Sequence, residues 1–164
     1  MARRAGPDVP SASGPHLRPL LDDDWPAALS VWTAAWCALL PEIDFVARQP
    51  WFTAHCATAR AAGARCIGAF LPEGALAGFM MVDPVTGLLD QLVVRPEQQG
   101  HGIATALMAE ARLLSPAGLR LQVNQMNHRA IAFYEREGFR RAGEGRNATS
   151  GLATWHYAWQ PAMV

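Results

Sequence analysis

The chain has 164 residues, 51% of them hydrophobic and 17% charged, enough for one ordinary domain with its own core and too apolar for a disordered segment. Its 14 Lys and Arg, all of them Arg, balance 14 Asp and Glu, which gives no electrostatic reason to expect nucleic acid or an anionic membrane surface as a partner. Apolar runs stop short of the ~20 residues a spanning helix needs, and 3 cysteines without C-x-x-C or zinc spacing fit a reducing cytoplasm with neither a disulfide framework nor a metal site.

Residues 1–15, rich in Gly, Pro, Ala and Ser, read as a flexible leader, and residues 16–164 as one domain. A short strand is expected from His16 to Leu21. Asp22-Asp23-Asp24 then suits a helix N-terminus, where carboxylates cap free amides, and Pro26 is tolerated in the first turn. Trp25, Leu29, Trp32, Trp36 and Leu40 recur at helical spacing up to Pro41. Glu42 to Ala62 reads as a second helix, interrupted by Pro50 and stopped at Gly63. Two apolar runs, Ala64 to Leu71 and Ala75 to Asp83, flank Pro72-Glu73-Gly74 as a hairpin, and Leu88 to Val94 follows as a third strand of that group. An amphipathic helix runs to about Leu114; a strand Leu119–Val123, a helix Asn127–Glu137 and strands Phe139–Gly143 and Thr154–Gln160 complete the chain around a loop from Glu144 to Ala153. This order predicts an α+β fold, a single mixed, mostly antiparallel sheet of about six to seven strands flanked by four helices.

The chemistry concentrates in Leu88 to Ala111, LLDQLVVRPEQQGHGIATALMAEA. A strand delivers the chain into a glycine-containing loop and a helix starts at once, so free backbone N–H groups and the positive end of a helix dipole converge on one spot suited to phosphate. A Walker loop is excluded because the chain has no Lys. A dinucleotide fingerprint fits poorly, since Thr105 replaces the third glycine and no acid stands about 20 residues further on. Gln99-Gly100-His101-Gly102-Ile103-Ala104 matches [Q/R]-x-x-G-x-[G/A] instead. A second block, NQMNHRAIAFYEREGF from Asn124 to Phe139, matches N-x-x-A-x-x-F-Y-x-x-x-G-F through Asn127, Ala130, Phe133, Tyr134, Gly138 and Phe139.

Together the two blocks resemble the GNAT superfamily of acetyl-CoA-dependent N-acetyltransferases. The resemblance implies the acyl-CoA N-acyltransferase fold, with acetyl-CoA as acyl donor and no metal. It implies a pyrophosphate gripped by backbone at Gln99, Gly100, His101, Gly102, Ile103 and Ala104, with Thr105 close behind. It implies a pantetheine arm lying along Leu92, Val93 and Val94 with Asn127 on its far side, and a thioester carbonyl polarised by the amide near Val93. Tyr134 matches the tyrosine that faces the departing thiolate. The base that must deprotonate an amine acceptor is less defined. Asp90 is expected on the face of Leu92 and Val94 by strand alternation, and Glu97, Glu144 and His156 are other candidates. Acceptor pockets in this family lie between the first two helices and the last strand pair, which points to Trp36, Phe45, Arg48 and Trp51 facing Asn147 to Thr154. Arg48 would suit a carboxylate- or phosphate-bearing acceptor.

Each of these residues also has a plain structural reading. The Trp stripe suits a core, Asp90 an ion-paired strand residue, His101 a solvated loop, and the adjacent rings of Phe133 and Tyr134 aromatic packing, with Phe133 the one expected in the core. The function implied is direct acetyl transfer to a primary amine of a small molecule. The alternatives are acetylation of a protein or peptide amine, and a non-catalytic acyl-CoA sensor. A homodimer stays open as the assembly.

Overall fold

A computed structural model describes residues 14–163; most of the expected leader lies outside the described residues. The chain runs through β1 (His16–Pro19), α1 (Trp25–Leu39), α2 (Gln49–Ala61), β2 (Arg65–Phe70), β3 (Leu76–Val82), β4 (Leu89–Val94), α3 (Ile103–Leu114), β5 (Leu119–Asn124), α4 (His128–Arg136), β6 (Arg140–Arg146) and β7 (Ala153–Trp159). The strands pair antiparallel in two ladders, β1-β2-β3-β4 and β5-β7-β6. A parallel bridge, Leu88 to Arg120, joins β4 to β5. The mixed, mostly antiparallel character thus comes from two antiparallel ladders and this one parallel contact.

The central strand β3 is buried along its whole length, as its unbroken apolar sequence LAGFMMV requires. Met80 and Val82 pack with Ile103, Leu107, Met108 and Ala111 of α3. Phe79 and Met81 pack with Ala28, Val31 and Trp32 of α1 and Phe52 and Cys56 of α2. The helices therefore cover opposite faces of the first sheet, because alternate β3 side chains supply each face with apolar surface.

Local differences from the sequence reading have local causes. Asp24 does not cap the α1 amides: its carboxylate accepts from the Leu21 N–H at 2.7 Å and from Arg18 at 2.6 Å. Arg18 and that N–H hold the Asp24 carboxyl below the usual carboxylate range. Pro50 starts α2 instead of interrupting it, since a first helical turn has no acceptor for the N–H that proline lacks. Residues 41–48 form turns, tied by the Ala47 N–H donating to Asp44 at 3.0 Å. β6 runs on past Gly143 to Arg146, through residues that had read as the start of a loop at Glu144; β7 supplies the pairing. At Gly145 a Cβ would come within 2.8 Å of the His156 ring, so the glycine marks a close approach.

Candidate active site

Beyond the Leu88–Arg120 bridge, β4 and β5 part and open a cleft of about 860 Å³. Its walls come from β4, the turn before α3, the end of β5, α4, the first two helices and residues 147–150. The backbone of β4 faces this gap in a defined pattern. The Arg95 N–H donates to Ala77 O at 2.8 Å, which makes Arg95–Ala77 a hydrogen-bonded pair. Alternation then makes Val93–Phe79 another such pair, and turns the N–H and C=O of Leu92 and Val94 toward the cleft. The Gln99 side chain donates to Val94 O at 3.3 Å from that side. The amide expected near Val93 is therefore Leu92's or Val94's, because Val93's own is paired with Phe79.

At the end of β4 the chain turns through Gly100 (φ +82°) and Gly102 (φ +81°), left-handed conformations that favour glycine. Gly102 precedes α3, whose first-turn amides have no partner within the helix. A Cβ at Gly102 would meet nothing within 4 Å, and at Gly100 only the Arg129 guanidinium at 3.8 Å. The turn is thus an open cradle of backbone donors with Arg129 beside it, a fit to a pyrophosphate. Gln99, Gly100, Gly102, Ile103, Ala104 and Thr105 all line the cleft; the exposed His101 does not. The Thr105 hydroxyl donates to Glu137 at 3.3 Å, and Asn127 caps α4 by accepting from the Ala130 N–H at 3.2 Å. Among the described residues no cluster of three or more His, Cys, Asp or Glu side chains is placed to hold a metal.

Tyr134 is 9% exposed, with its ring packed edge-on against Phe133 and tilted against Phe139. This reverses the expected order of burial, since Phe133 is only half-buried; α4 turns Tyr134 into the core beneath α3. The Tyr157 hydroxyl donates to Glu135 at 2.8 Å. The Tyr134 hydroxyl has no partner among the described residues, and the residue lines the cleft. Burial pushes its phenol well above the ordinary range, so it stays protonated and has a hydrogen to donate.

Asp90 does not share the face of Leu92 and Val94. Gln91 pairs with Met81 and Leu89 with Val82, leaving Asp90 as the extra residue of a β-bulge. Leu92 and Val94 pack toward α3, whereas the Asp90 carboxylate meets His55 Nε2 of α2 at 2.8 Å. Of the other base candidates, Glu97, Glu144 and His156 do not line the cleft.

Trp36, Phe45, Arg48 and Trp51 come together across from residues 147–150. Trp36 stacks on Phe45 at 5.6 Å, and the Arg48 guanidinium lies 5.5 Å from the Phe45 ring. Arg48 has no acidic partner among the described residues. His55 lines this region too, and sequence reading had passed it over. Arg48, Trp51 and His55 follow the i, i+3, i+7 spacing of one helix face, a signal that would have included it. Asn124 and Arg129 also line the cleft without having been assigned to a site, and Thr154, at the end of the expected acceptor wall, lines it too. The Thr154 hydroxyl is buried without a partner among the described residues.

The family model for the acetyltransferase (GNAT) domain matches residues 58–141, more than half of the chain, and the chain belongs to the GNAT acetyltransferase family. The peptidyl-lysine N-acetyltransferase YjaB of Salmonella typhimurium is 36% identical over 85 residues, covering 45% of this chain and 56% of that protein. The chain spans about half the length of the curated relatives it matches. A GCN5-related N-acetyltransferase structure from Rhodopseudomonas palustris shares the fold with a TM-score of 0.73 at 21% identity, over 92% of this chain and 98% of that one. The PaiA N-acetyltransferase from Thermoplasma acidophilum, solved in complex with coenzyme A, does so with a TM-score of 0.69 at 18% identity, over 91% and 100%.

Proposed function

We propose that this chain is an acetyl-CoA-dependent N-acetyltransferase that transfers the acetyl group directly to the primary amine of a small molecule. The observation that carries the reading is the parting of β4 from β5 where Leu92 and Val94 turn free backbone groups into the gap, with the Gly100–Gly102 cradle at its end. Acetyl-CoA, when bound, supplies the thioester that the amine attacks. The first-turn amides of α3 and Arg129 would bind its phosphates, Leu92 and Val94 would align its arm and polarise the carbonyl, and Tyr134 would donate a hydrogen bond to the departing sulfur. Trp36 and Phe45 with Arg48, which has no acidic partner among the described residues, favour an acceptor that carries a carboxylate beside an apolar group.

A second reading, acetylation of a peptide lysine, is favoured by the name of the curated relatives and by Trp51, 42% exposed at the acceptor wall. Calorimetric titration with acetyl-CoA tests the shared donor half. Micromolar binding is expected for the wild type and loss of binding for Gly102→Trp, which strains a left-handed turn and fills the cradle. Absence of binding in the wild type overturns both readings. Thiol release measured with free amino acids and with a lysine peptide blocked at its α-amine then separates them, and Arg48→Ala should raise KM only for acceptors bearing a carboxylate.

A further inference from the structure

An aliphatic amine titrates near 10.4 and is almost wholly protonated at neutral pH, so an N-acetyltransferase acting on one needs a place for that proton. Glu97, Glu144 and His156 lie outside the cleft, and Asp90 is engaged through one carboxylate oxygen with His55 and through the other with the Gln91 amide at 3.3 Å.

We infer that His55 is the proton acceptor of the reaction and that Asp90 is its positioning residue. The inference rests on the acetyltransferase reading above and deepens it. The Asp90 carboxylate lies 2.8 Å from His55 Nε2, so a neutral imidazole donates its Nε2 proton there and leaves the lone pair on Nδ1. No described residue bonds Nδ1, and His55 borders the same cleft as Leu92, Val94 and Tyr134. The ring is also fixed in orientation: Trp51, one turn earlier on α2, stacks on it at 5.0 Å with the planes 12° apart. The bulge explains why the pair exists. By inserting an extra residue, it turns Asp90 out of the alternation of β4 and aims it at α2.

The proton balance is complete without another reagent. The substrate ammonium gives one proton to Nδ1, and the resulting imidazolium is stabilised by Asp90. The amine nitrogen bonds to the acetyl carbonyl carbon as the carbon–sulfur bond breaks. A second amine proton ends on the departing sulfur, and the imidazolium returns its proton to solvent. Around the pair, Cys56 of α2 and Cys66 of β2 are buried thiols whose protons are held up to about 12 and about 11 by burial. They stay neutral while an imidazole titrates. Arg60, further along α2, is paired with Asp22 at 3.2 Å, and Arg48 is the cation that lines this wall among the described residues.

The test compares wild type, His55→Gln and Asp90→Asn, using as probes acetyl-CoA with L-phenylalanine, L-glutamate and an α-blocked lysine peptide. Acetyl-CoA affinity and melting temperature should stay near wild type in His55→Gln, which separates this inference from the donor-binding reading. Its kcat/KM should fall about 10²-fold, and the rise in rate through the range where imidazoles titrate should vanish. Asp90→Asn should lower kcat/KM with acetyl-CoA affinity retained, and long-range ¹H–¹⁵N spectra should show the His55 proton leaving Nε2 for Nδ1; an unchanged rate and tautomer would overturn the positioning role of Asp90. Wild-type rates and pH profile in His55→Gln, with an active parent, overturn the inference and leave the enzyme reading standing. A parent that binds acetyl-CoA but acetylates none of the probes overturns both.

Discussion

A phenol ordinarily titrates near 10 and a thiol near 8.5, so moving a proton from tyrosine to a departing thiolate is uphill even in water. Packed against Phe133 and Phe139, the Tyr134 phenol is pushed higher still, and the gap widens. On the acetyltransferase reading, what remains to Tyr134 is a hydrogen bond to sulfur as charge develops there, a bond that a fixed hydroxyl without a partner among the described residues would make at little reorganisation cost. Hydrogen bonds to charged groups contribute about 1.5–3 kcal/mol, which corresponds to roughly 10- to 150-fold in rate. Tyr134→Phe should therefore lower kcat by about that factor. It should leave acetyl-CoA affinity and thermal stability nearly unchanged, because the hydroxyl holds nothing else in the fold. Steady-state kinetics with calorimetry checks the split; an unchanged kcat removes Tyr134 from the chemistry.

At the scale of elements, the packing of α2 on β2 buries Cys56 and Cys66, 1% and 9% exposed, and this has a signed consequence for pH. Burial raises the two thiols from 9.0 to about 12 and about 11. Above pH 9 the unfolded chain releases these protons while the folded chain keeps them. The contribution of the thiols to stability is thus constant below pH 9 and falls as pH rises from there toward the folded values, by up to ~1.4 kcal/mol per pH unit for each thiol. Urea unfolding between pH 8 and 10, below the midpoint at which an unfolded tyrosine titrates, should show this decline, and a Cys56→Ala, Cys66→Ala double variant should flatten it; an equal slope in both proteins would refute the assignment. The same elements mark how far the sequence was legible. The cradle and the α4 block were readable because each is a contiguous run whose glycines and cap act locally. The His55–Asp90 pair was not, since 35 residues separate its members. The bulge that joins them obeys β3 pairing, and no periodicity within β4 announces it. Pro50 misled for a related reason: its meaning depends on whether a helix has already begun.

The whole molecule is organised around one strand. β3 gives Met80 and Val82 to the core under α3 and Phe79 and Met81 to the core under α1 and α2. β5, β7 and α4 join the first of these cores through Leu121, Val123, Tyr157 and Tyr134. Neither core can lose its packing while β3 stays paired and buried on the other side, so the described fold should unfold as one cooperative unit. The cleft belongs to the same unit, since its β4 wall is hydrogen-bonded to β3. Phe79 is fully buried, its ring 6.3 Å from the Phe52 ring, and does not line the cleft. Truncating it leaves a cavity and the loss of a large apolar group, which together cost about 3–5 kcal/mol. Phe79→Ala should therefore lower the melting temperature steeply. Tryptophan fluorescence, which in a Trp155→Phe, Trp159→Phe background reports the α1 and α2 side through Trp32 and its neighbours, and far-UV dichroism, which reports all elements, should still give coincident transitions. Acetyl-CoA added at many times its dissociation constant should raise both midpoints together, because binding at the β4–β5 cleft stabilises every element that unfolds with it. Separate midpoints, or a ligand shift confined to one probe, would show that the two cores melt independently and that β3 does not couple them.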